Sequence, residues 1–168
     1  LVRDLRKLMG PHTAYNLKER KTNRLKDFSS VATQLKISHL LAISQTKSNS
    51  ILRIAKTRTG PTLHFKISEF MLAGNVRKLQ KRPYDSAASY NTPPMVILNG
   101  FGSSEDKKVI LQKATFQHMF PSIDVDKVKL SECKRVVLFN YDDEKDCVEM
   151  RHYVIKTSPV GVSKNVKH

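Results

Sequence analysis

The side chains best suited to do chemistry in this sequence are cations, and most of them lie in its first half. Thirty Lys and Arg stand against fifteen Asp and Glu, which gives a formal net charge of +15. Residues 1–82 hold 18 basic and 4 acidic residues (+14), whereas residues 83–168 hold 12 and 11 (+1). Such an excess is typical of nucleic-acid-binding proteins, since each neutralised phosphate releases condensed counterions. We therefore expect a polyanion to dock mainly against residues 1–82.

The densest basic cluster surrounds the start of a predicted amphipathic helix over 22–35, for which Thr22 is the expected N-cap. Cations at a helix N-terminus oppose the helix macrodipole, which favours anions there. A phosphate held by free backbone N–H groups and by arginine would explain their placement, and a solvated charged loop is the alternative interpretation. The cluster consists of Lys18, Arg20, Lys21, Arg24 and Lys26.

A second basic group lies on a predicted hairpin and the strand that follows it. Residues 62–67 alternate between apolar and polar, which places His64 and Lys66 together on one face of a strand. A basic face of this kind can contact RNA, but it lacks the interleaved aromatic residues on which bases stack. We therefore predict contacts with the RNA backbone rather than reading of bases. The group consists of Arg53, Lys56, Arg58, His64 and Lys66.

Motifs for catalysis or for a cofactor are weak. The loop 99–102 (Asn-Gly-Phe-Gly) lacks the third glycine of a dinucleotide-binding loop, because Glu105 occupies that position, and a structural turn is the better interpretation. The acidic residues of 142–146, and Asp124 with Asp126, are also interpreted as turns. His152 is expected to be a buried structural residue, and the histidines show no metal-ligand spacing. We predict no catalytic residue, metal or cofactor.

Two further features bear on the cellular compartment and on membrane association. The two cysteines, Cys133 and Cys147, fit no zinc pattern and suggest a reducing compartment, either cytosol or nucleus. No apolar run approaches the ~20 residues of a membrane span, so no membrane partner is predicted. The chain begins without methionine, and we expect it to be an excerpt of a longer protein.

The elements that must position the cations repeat in order, with helix, strand and hairpin in each half. We predict a two-part α/β molecule with a mixed sheet in each part, joined by a linker over 83–94 that is rich in Ser, Ala, Asn and Pro. The predicted helices are 1–8, 22–35, 72–81 and 107–120, and the predicted strands are 38–44, 51–56, 62–67, 95–98, 135–141 and 147–156.

Burial follows from the same patterns. We expect 38–44 and 95–98 to be buried strands, and residues 83–168, whose charge is balanced, to expose an apolar patch for a protein partner. The side chains expected in the core are Leu25, Phe28, Leu63, Phe65, Phe120, Val137 and Val148.

Six short blocks, in order, resemble the Brix family and in particular its Peter Pan/SSF branch. No single block is specific, whereas the ordered series covers nearly the whole chain. A departure is Gln34-Leu35-Lys36, where close relatives tend to have Gly-Pro-Leu-Gly. The blocks are Pro11-His12-Thr13-Ala14 with Leu17-Lys18-Glu19-Arg20-Lys21, Asn23 and Leu25-Lys26-Asp27-Phe28; Gly60-Pro61-Thr62 with Leu63 and Phe65; 95–101; 116–121; 134–138; and Arg151-His152-Tyr153.

The resemblance implies a single Brix domain over 1–168, made of a basic half (1–82) and a second half (95–168). These halves would be pseudo-symmetric, each similar to the anticodon-binding domain of class II aminoacyl-tRNA synthetases. In the hallmark turn, Gly60 is expected to supply backbone freedom and Pro61 to fix φ.

The resemblance also implies a non-catalytic factor in the nucleus and nucleolus. Such a factor binds precursor ribosomal RNA in pre-ribosomal particles during large-subunit maturation, as a heterodimer with a smaller ribosome-assembly protein. Two alternatives stay open: a protein-interaction scaffold for acidic partners, and an RNA-acting enzyme such as a nuclease.

Overall fold

The computed structural model describes residues 1–20, 22–84, 87–102, 105–123, 133–156 and Gly161. The order of helices and strands is the predicted one, and the elements differ from the prediction mainly at their ends. The helices are α1 (Val2–Leu8), α2 (Leu25–Gln34), α3 (Ala73–Leu79) and α4 (Lys107–His118); the strands are β1 (His39–Gln45), β2 (Ser50–Lys56), β3 (Thr62–Ile67), β4 (Met95–Asn99), β5 (Arg135–Asp142) and β6 (Cys147–Val154).

The first sheet has the order β1-β2-β3 and carries the basic hairpin. Its described strands are all antiparallel, so the expected mixed sheet is absent from this part of the described chain. Cross-strand partners share a face of the sheet. Leu52 and its partner Phe65 therefore lie on the core face, while Arg53 and its partner His64 lie on the other face.

The second sheet has the order β4-β5-β6 and is mixed, as predicted. Strands β4 and β5 are parallel, which requires a crossover, and α4 lies within that connection. Strands β5 and β6 form the predicted hairpin, whose turn is closed by Asp142. The carboxylate of Asp142 accepts hydrogen bonds from the N–H groups of Glu144 (3.1 Å) and Lys145 (3.3 Å). The acidic run is therefore a turn.

Among the described residues, a hydrophobic core joins the two sheets through α4. The ring of Phe116 stacks on Phe139 of β5 at 4.3 Å between centroids and lies 5.6 Å from Phe65 of β3. Val137 and Phe120 are buried as predicted, and Phe65 and Val148 pack against the core from its edge.

Two burial predictions are wrong. Leu25 is 39% exposed, because α2 lies on the outer face of the first sheet, away from the shared core. Strands β1 and β4 are only partly buried, and Ile97 of β4 is 43% exposed. Sheets covered unevenly on their two faces do not give the fully apolar strands of a central sheet.

The segment 83–94 was expected to be a linker, but its residues 87–94 pack against the rest of the domain. It contains a 3-10 helix (Ala87–Asn91), and both Ser89 and Pro94 are buried. Tyr90 lies in a small cluster of cations, with the ammonium of Lys7 at 4.5 Å and the guanidinium of Arg135 at 4.7 Å from its ring centroid.

Arg135, the first residue of β5, is completely buried (0% exposed) and ties three segments together. Its guanidinium donates to the carbonyl oxygens of Leu8 (3.0 Å), Gly10 (2.9 Å) and Thr92 (2.7 Å). Burial lowers the pKa of Arg135, but a guanidinium stays charged in proteins. The end of α1 and the connecting segment are thereby fastened to the second sheet.

We predict that Arg135→Ala lowers the free energy of unfolding by about 3 kcal/mol or more, because three buried carbonyl groups are left without their donor. Arg135→Lys should also destabilise, since one ammonium cannot reproduce the planar guanidinium geometry. Urea unfolding followed by circular dichroism measures both. The control is Arg151→Ala, which removes an exposed ion pair with Glu149 and should cost at most about 1 kcal/mol. Wild-type stability in Arg135→Ala would contradict the assignment.

The half-buried His152 makes the stability of the fold dependent on pH. Burial, and then the charges of Arg135 and Lys7, lower the pKa of His152 from 6.5 to about 4. The unfolded chain therefore binds a proton between these values while the folded chain does not, so stability falls as the pH drops from 6.5 towards 4.

We predict that His152→Phe flattens this pH dependence, because the titrating group is removed while a ring still faces Tyr90. Urea midpoints measured across the window between the two pKa values test the effect. His64→Phe, at an exposed position of β3, is the control for the exchange of histidine for phenylalanine, and the slope of His152→Phe is compared with it. A proton NMR titration that gives His152 an ordinary pKa would refute the prediction.

Candidate nucleic-acid interface

Helix α2 begins three residues later than predicted, and its N-terminus is capped by the chain itself. Arg24, not Thr22, is the N-cap, and its N–H donates to the carboxylate of Asp27 at 2.9 Å. Asp27 is the third residue of the helix, where a carboxylate both closes a capping box and complements the macrodipole. The free N–H groups expected to hold a phosphate thus already have an anionic side chain beside them.

The basic segment before α2 is exposed and is attached to α1. Glu19 forms an ion pair with Arg6 of α1 at 2.9 Å, which holds the segment against that helix. Lys18 and Arg20 on either side of Glu19 are exposed, and Lys21 lies outside the described residues. Arg24 and Lys26 continue the exposed basic surface into α2.

A groove of about 230 Å³ separates α2 from the outer face of the first sheet. It brings together Lys26 of α2 and Lys56 of β2, which the sequence had placed in two separate basic groups. Its described lining contains no acidic side chain, and it includes the hydroxyl residues Ser29, Thr57 and Thr62. The apolar lining residues are Leu25 of α2 and Leu40 and Ala55 of the sheet. Two lysine residues and three hydroxyl residues in one lining suit the phosphates and sugars of a nucleic-acid backbone.

The hallmark Gly60-Pro61 turn packs against Lys56 at the end of β2. A Cβ atom added to Gly60 would overlap the Cβ of Lys56, and the carbonyl oxygen of Pro61 accepts the N–H of Lys56 at 3.1 Å. Gly60 does not have a positive φ, so its expected role as a source of backbone freedom is wrong. Arg58 has the positive φ in this turn, at 69°. Gly60 is required for close approach.

The remaining predicted cations lie on the same sheet but are not brought into the groove. Arg53 and His64 are direct cross-strand partners, and Lys66 pairs with Ile51 on the same face. Arg53 is half-buried, whereas Lys66 and Arg58 are exposed. The sheet face therefore extends the basic surface beyond the α2 groove, as the alternation of 62–67 predicted.

Sequence reasoning missed Thr57, which lines the groove, and His39, the cross-strand partner of Lys56. The hydroxyl of Thr57 donates to the carbonyl oxygen of Ile37 and so fixes the start of β1 beside the end of β2. Burial, and then the charges of Lys56 and His118, lower the pKa of His39, which favours a neutral imidazole beside Lys56. No local pattern marks either residue, because their roles depend on the pairing of distant segments.

The structure supports the turn interpretation of the glycine-rich loop. Gly100 has φ 78°, and a Cβ there would overlap the carbonyl oxygen of Tyr141, so only glycine fits. Phe101 is in the core. Asp124 and Asp126 lie outside the described residues.

Other kinds of site are not found in the described parts of the chain. The described residues contain no group of three or more His, Cys, Asp or Glu that could hold a metal ion. None of the helices in these parts combines the length and the apolar character needed to cross a membrane.

The fold and the groove together define a mixed α/β domain with two three-stranded sheets and a basic outer surface. The sequence matches the Brix domain over residues 1–168, and the chain belongs to the Brix family. The resemblance to the Peter Pan/SSF branch is confirmed by the names of its relatives.

Three relatives illustrate this similarity. The chain is 43% identical over 171 residues to a Brix domain-containing protein of Schizosaccharomyces pombe, covering 100% of this chain and 44% of that protein. It is 45% identical over 169 residues to the Peter Pan-like protein of Arabidopsis thaliana (99% and 48%). It is 38% identical over 178 residues to ribosome biogenesis protein SSF1 of Saccharomyces cerevisiae (99% and 39%). The chain thus spans less than half the length of these relatives.

We predict that Gly60→Ala lowers the free energy of unfolding by about 1–3 kcal/mol, because its methyl group overlaps the stem of Lys56. Gly74→Ala is the matched control: no atom lies within 4 Å of the added Cβ, and Gly74 is inside α3. Alanine there should stabilise by roughly 0.5–1 kcal/mol. Thermal and urea unfolding distinguish the two. Equal effects of both substitutions would disprove the close approach.

Proposed function

We propose that this chain is a non-catalytic ribosome-assembly domain that binds precursor ribosomal RNA through the groove between α2 and the first sheet. The observation that carries the proposal is that Lys26 and Lys56, from separate elements, line one groove that has no acidic side chain in its described lining. The name of the SSF1 relative, a ribosome biogenesis protein, supports assembly as the setting.

The distribution of charge supports a backbone-directed mode of binding. The groove lies in the half that carries +14 of the net +15, and its described lining contains lysine and hydroxyl residues but no aromatic residue. Phosphate and sugar contacts position a protein on RNA without specifying its sequence. The domain would therefore recognise RNA by shape and charge.

The other predicted cations would extend this contact on both sides of the groove. Before α2 they are Lys18, Arg20, Lys21 and Arg24; on the sheet and its turn they are Arg53, Arg58 and Lys66.

We further propose that the protein acts in the nucleolus, within pre-ribosomal particles of the large subunit, together with a smaller ribosome-assembly protein. The nuclear setting agrees with the two free cysteines, Cys133 and Cys147.

We predict that Lys26→Ala combined with Lys56→Ala weakens binding to all single-stranded RNA sequences alike. The slope of log affinity against log salt should fall by about 0.7 for each phosphate that is no longer neutralised, or roughly 1.4 for the pair. Fluorescence anisotropy with labelled oligonucleotides of different sequence, over a range of salt concentrations, measures both effects.

The control is Lys107→Ala combined with Lys113→Ala, which removes two exposed lysines from α4 in the electrically balanced half. This variant should keep most of the affinity, and any decrease should be smaller than that of the groove variant. If both double variants bind with the wild-type salt slope, RNA does not occupy the groove. If affinity falls for only one oligonucleotide sequence, the backbone-directed mode is wrong.

A further inference from the structure

Residues 68–84 form an exposed segment that is rich in large apolar side chains. Every residue in it is exposed, and α3 contributes no buried residue to the core. Phe70, Met71 and Leu79 are 59%, 61% and 75% exposed, and Leu72 and Val76 are also exposed. Clustered apolar surface of this kind marks an interaction site in soluble proteins.

The segment is fixed to the domain at the start of α3. The N–H of Ala73 donates to the carboxylate of Asp4 in α1 at 3.1 Å. Leu72, Val76 and Leu79 follow the helical spacing i, i+4 and i+7, so they lie along one face of α3. The helix thus presents an apolar stripe from a defined place on the surface.

The charge of the segment indicates what covers that stripe. Residues 68–84 contain four basic residues and a single acidic one, Glu69. The basic residues follow the apolar ones closely: Arg77, Lys78, Lys81 and Arg82. RNA would satisfy the cations but would leave the aliphatic side chains without apolar contacts. An amphipathic helix with an apolar face and acidic flanks would satisfy both.

The second half was expected to supply the protein-binding surface, and it does expose some apolar residues. Ile97 and Tyr153 are exposed on the second sheet, and Ile110 is exposed on α4. Ile97 and Tyr153 share one face of that sheet but lie on its two edge strands, and all three residues belong to the half with a net charge of +1. The segment 68–84 is denser in exposed apolar residues, and its basic residues favour an acidic partner.

We propose that residues 68–84 dock an acidic amphipathic helix of a protein partner. Met71, Leu72, Val76 and Leu79 contact the apolar face of that helix. Lys78, Lys81 and Arg82 contact its acidic flanks. The proposal rests on the proposed function only in that the function includes a protein partner, and it is independent of RNA binding in the α2 groove.

The test uses a synthetic helical peptide with leucine at the spacing i, i+3, i+4, i+7 and glutamate at the other positions, and a peptide of equal composition in scrambled order. Anisotropy should show binding of the first peptide and not of the second. Met71→Ser with Leu79→Ser should weaken binding about tenfold or more, since less apolar surface is buried against the peptide. The matched control, Leu35→Ser with Ile110→Ser, removes exposed apolar side chains elsewhere and should leave affinity unchanged.

An exchange of charges between the two partners distinguishes specific docking from non-specific apolar association. Lys78→Glu with Lys81→Glu should abolish binding of the acidic peptide and permit binding of a peptide in which lysine replaces each glutamate. Circular dichroism should give the wild-type spectrum and thermal midpoint for every variant, because the altered residues are exposed. Failure of the exchanged pair to bind would overturn the proposed charge complementarity.

Other occupants give different results. If single-stranded RNA displaces the peptide and the Met71→Ser/Leu79→Ser variant binds RNA more weakly, the segment is an RNA surface and the proposal is wrong. If the wild-type chain sediments as a dimer and this variant as a monomer, the occupant is a second copy, which also overturns it. Normal peptide binding by the Lys26→Ala/Lys56→Ala variant would show that peptide docking does not depend on the groove. This holds whether or not the groove binds RNA.

Discussion

The buried guanidinium of Arg135 is the interaction on which the arrangement of this domain depends. Removing a cation from water is costly, and here three carbonyl groups and the ring of Tyr90 offset that cost. Because the guanidinium is planar, these contacts fix direction as well as distance. They hold the C-terminal end of α1 against the second sheet. Helix α1 in turn holds the basic segment through Arg6 and the start of α3 through Asp4. The basic segment before α2 and the start of α3 are therefore both attached to the core through one short helix.

The second constraint is that one helix, α4, packs against both sheets. Phe116 of α4 contacts rings on both β3 and β5, so the inner face of the first sheet is filled by the second half of the chain. Helix α2 is left to the outer face, where only its Ala32 is buried. A helix that contributes so little to the core need not close tightly on its sheet. The resulting space, lined by Lys26 and Lys56, is available for binding because it is not needed for folding.

Local patterns predicted the elements well and their packing poorly. The alternation of 62–67 identified both faces of β3, and the acidic run 142–146 identified a turn, because each signal is contained within a few neighbouring residues. The start of α2 was misplaced because Asp27 closes a capping box that outweighs Thr22 as a cap. The exposure of Leu25, the burial of Arg135 and the meeting of Lys26 with Lys56 depend on contacts between distant segments. Charge counting located the basic half but could not show which cations share a groove.

The excess charge of the first half is divided between two surfaces of different chemistry. Around the α2 groove, cations stand beside hydroxyl groups, and a bound polyanion would gain mainly from release of counterions, which weakens steeply as salt rises. Around α3, cations flank five exposed apolar side chains, whose burial is favourable without a contribution from charge and is insensitive to moderate salt. The same basic residue types thus serve two different purposes. In the proposed RNA-binding groove they would supply the binding energy itself, whereas beside α3 they would discriminate among the partners that the apolar stripe could otherwise bind.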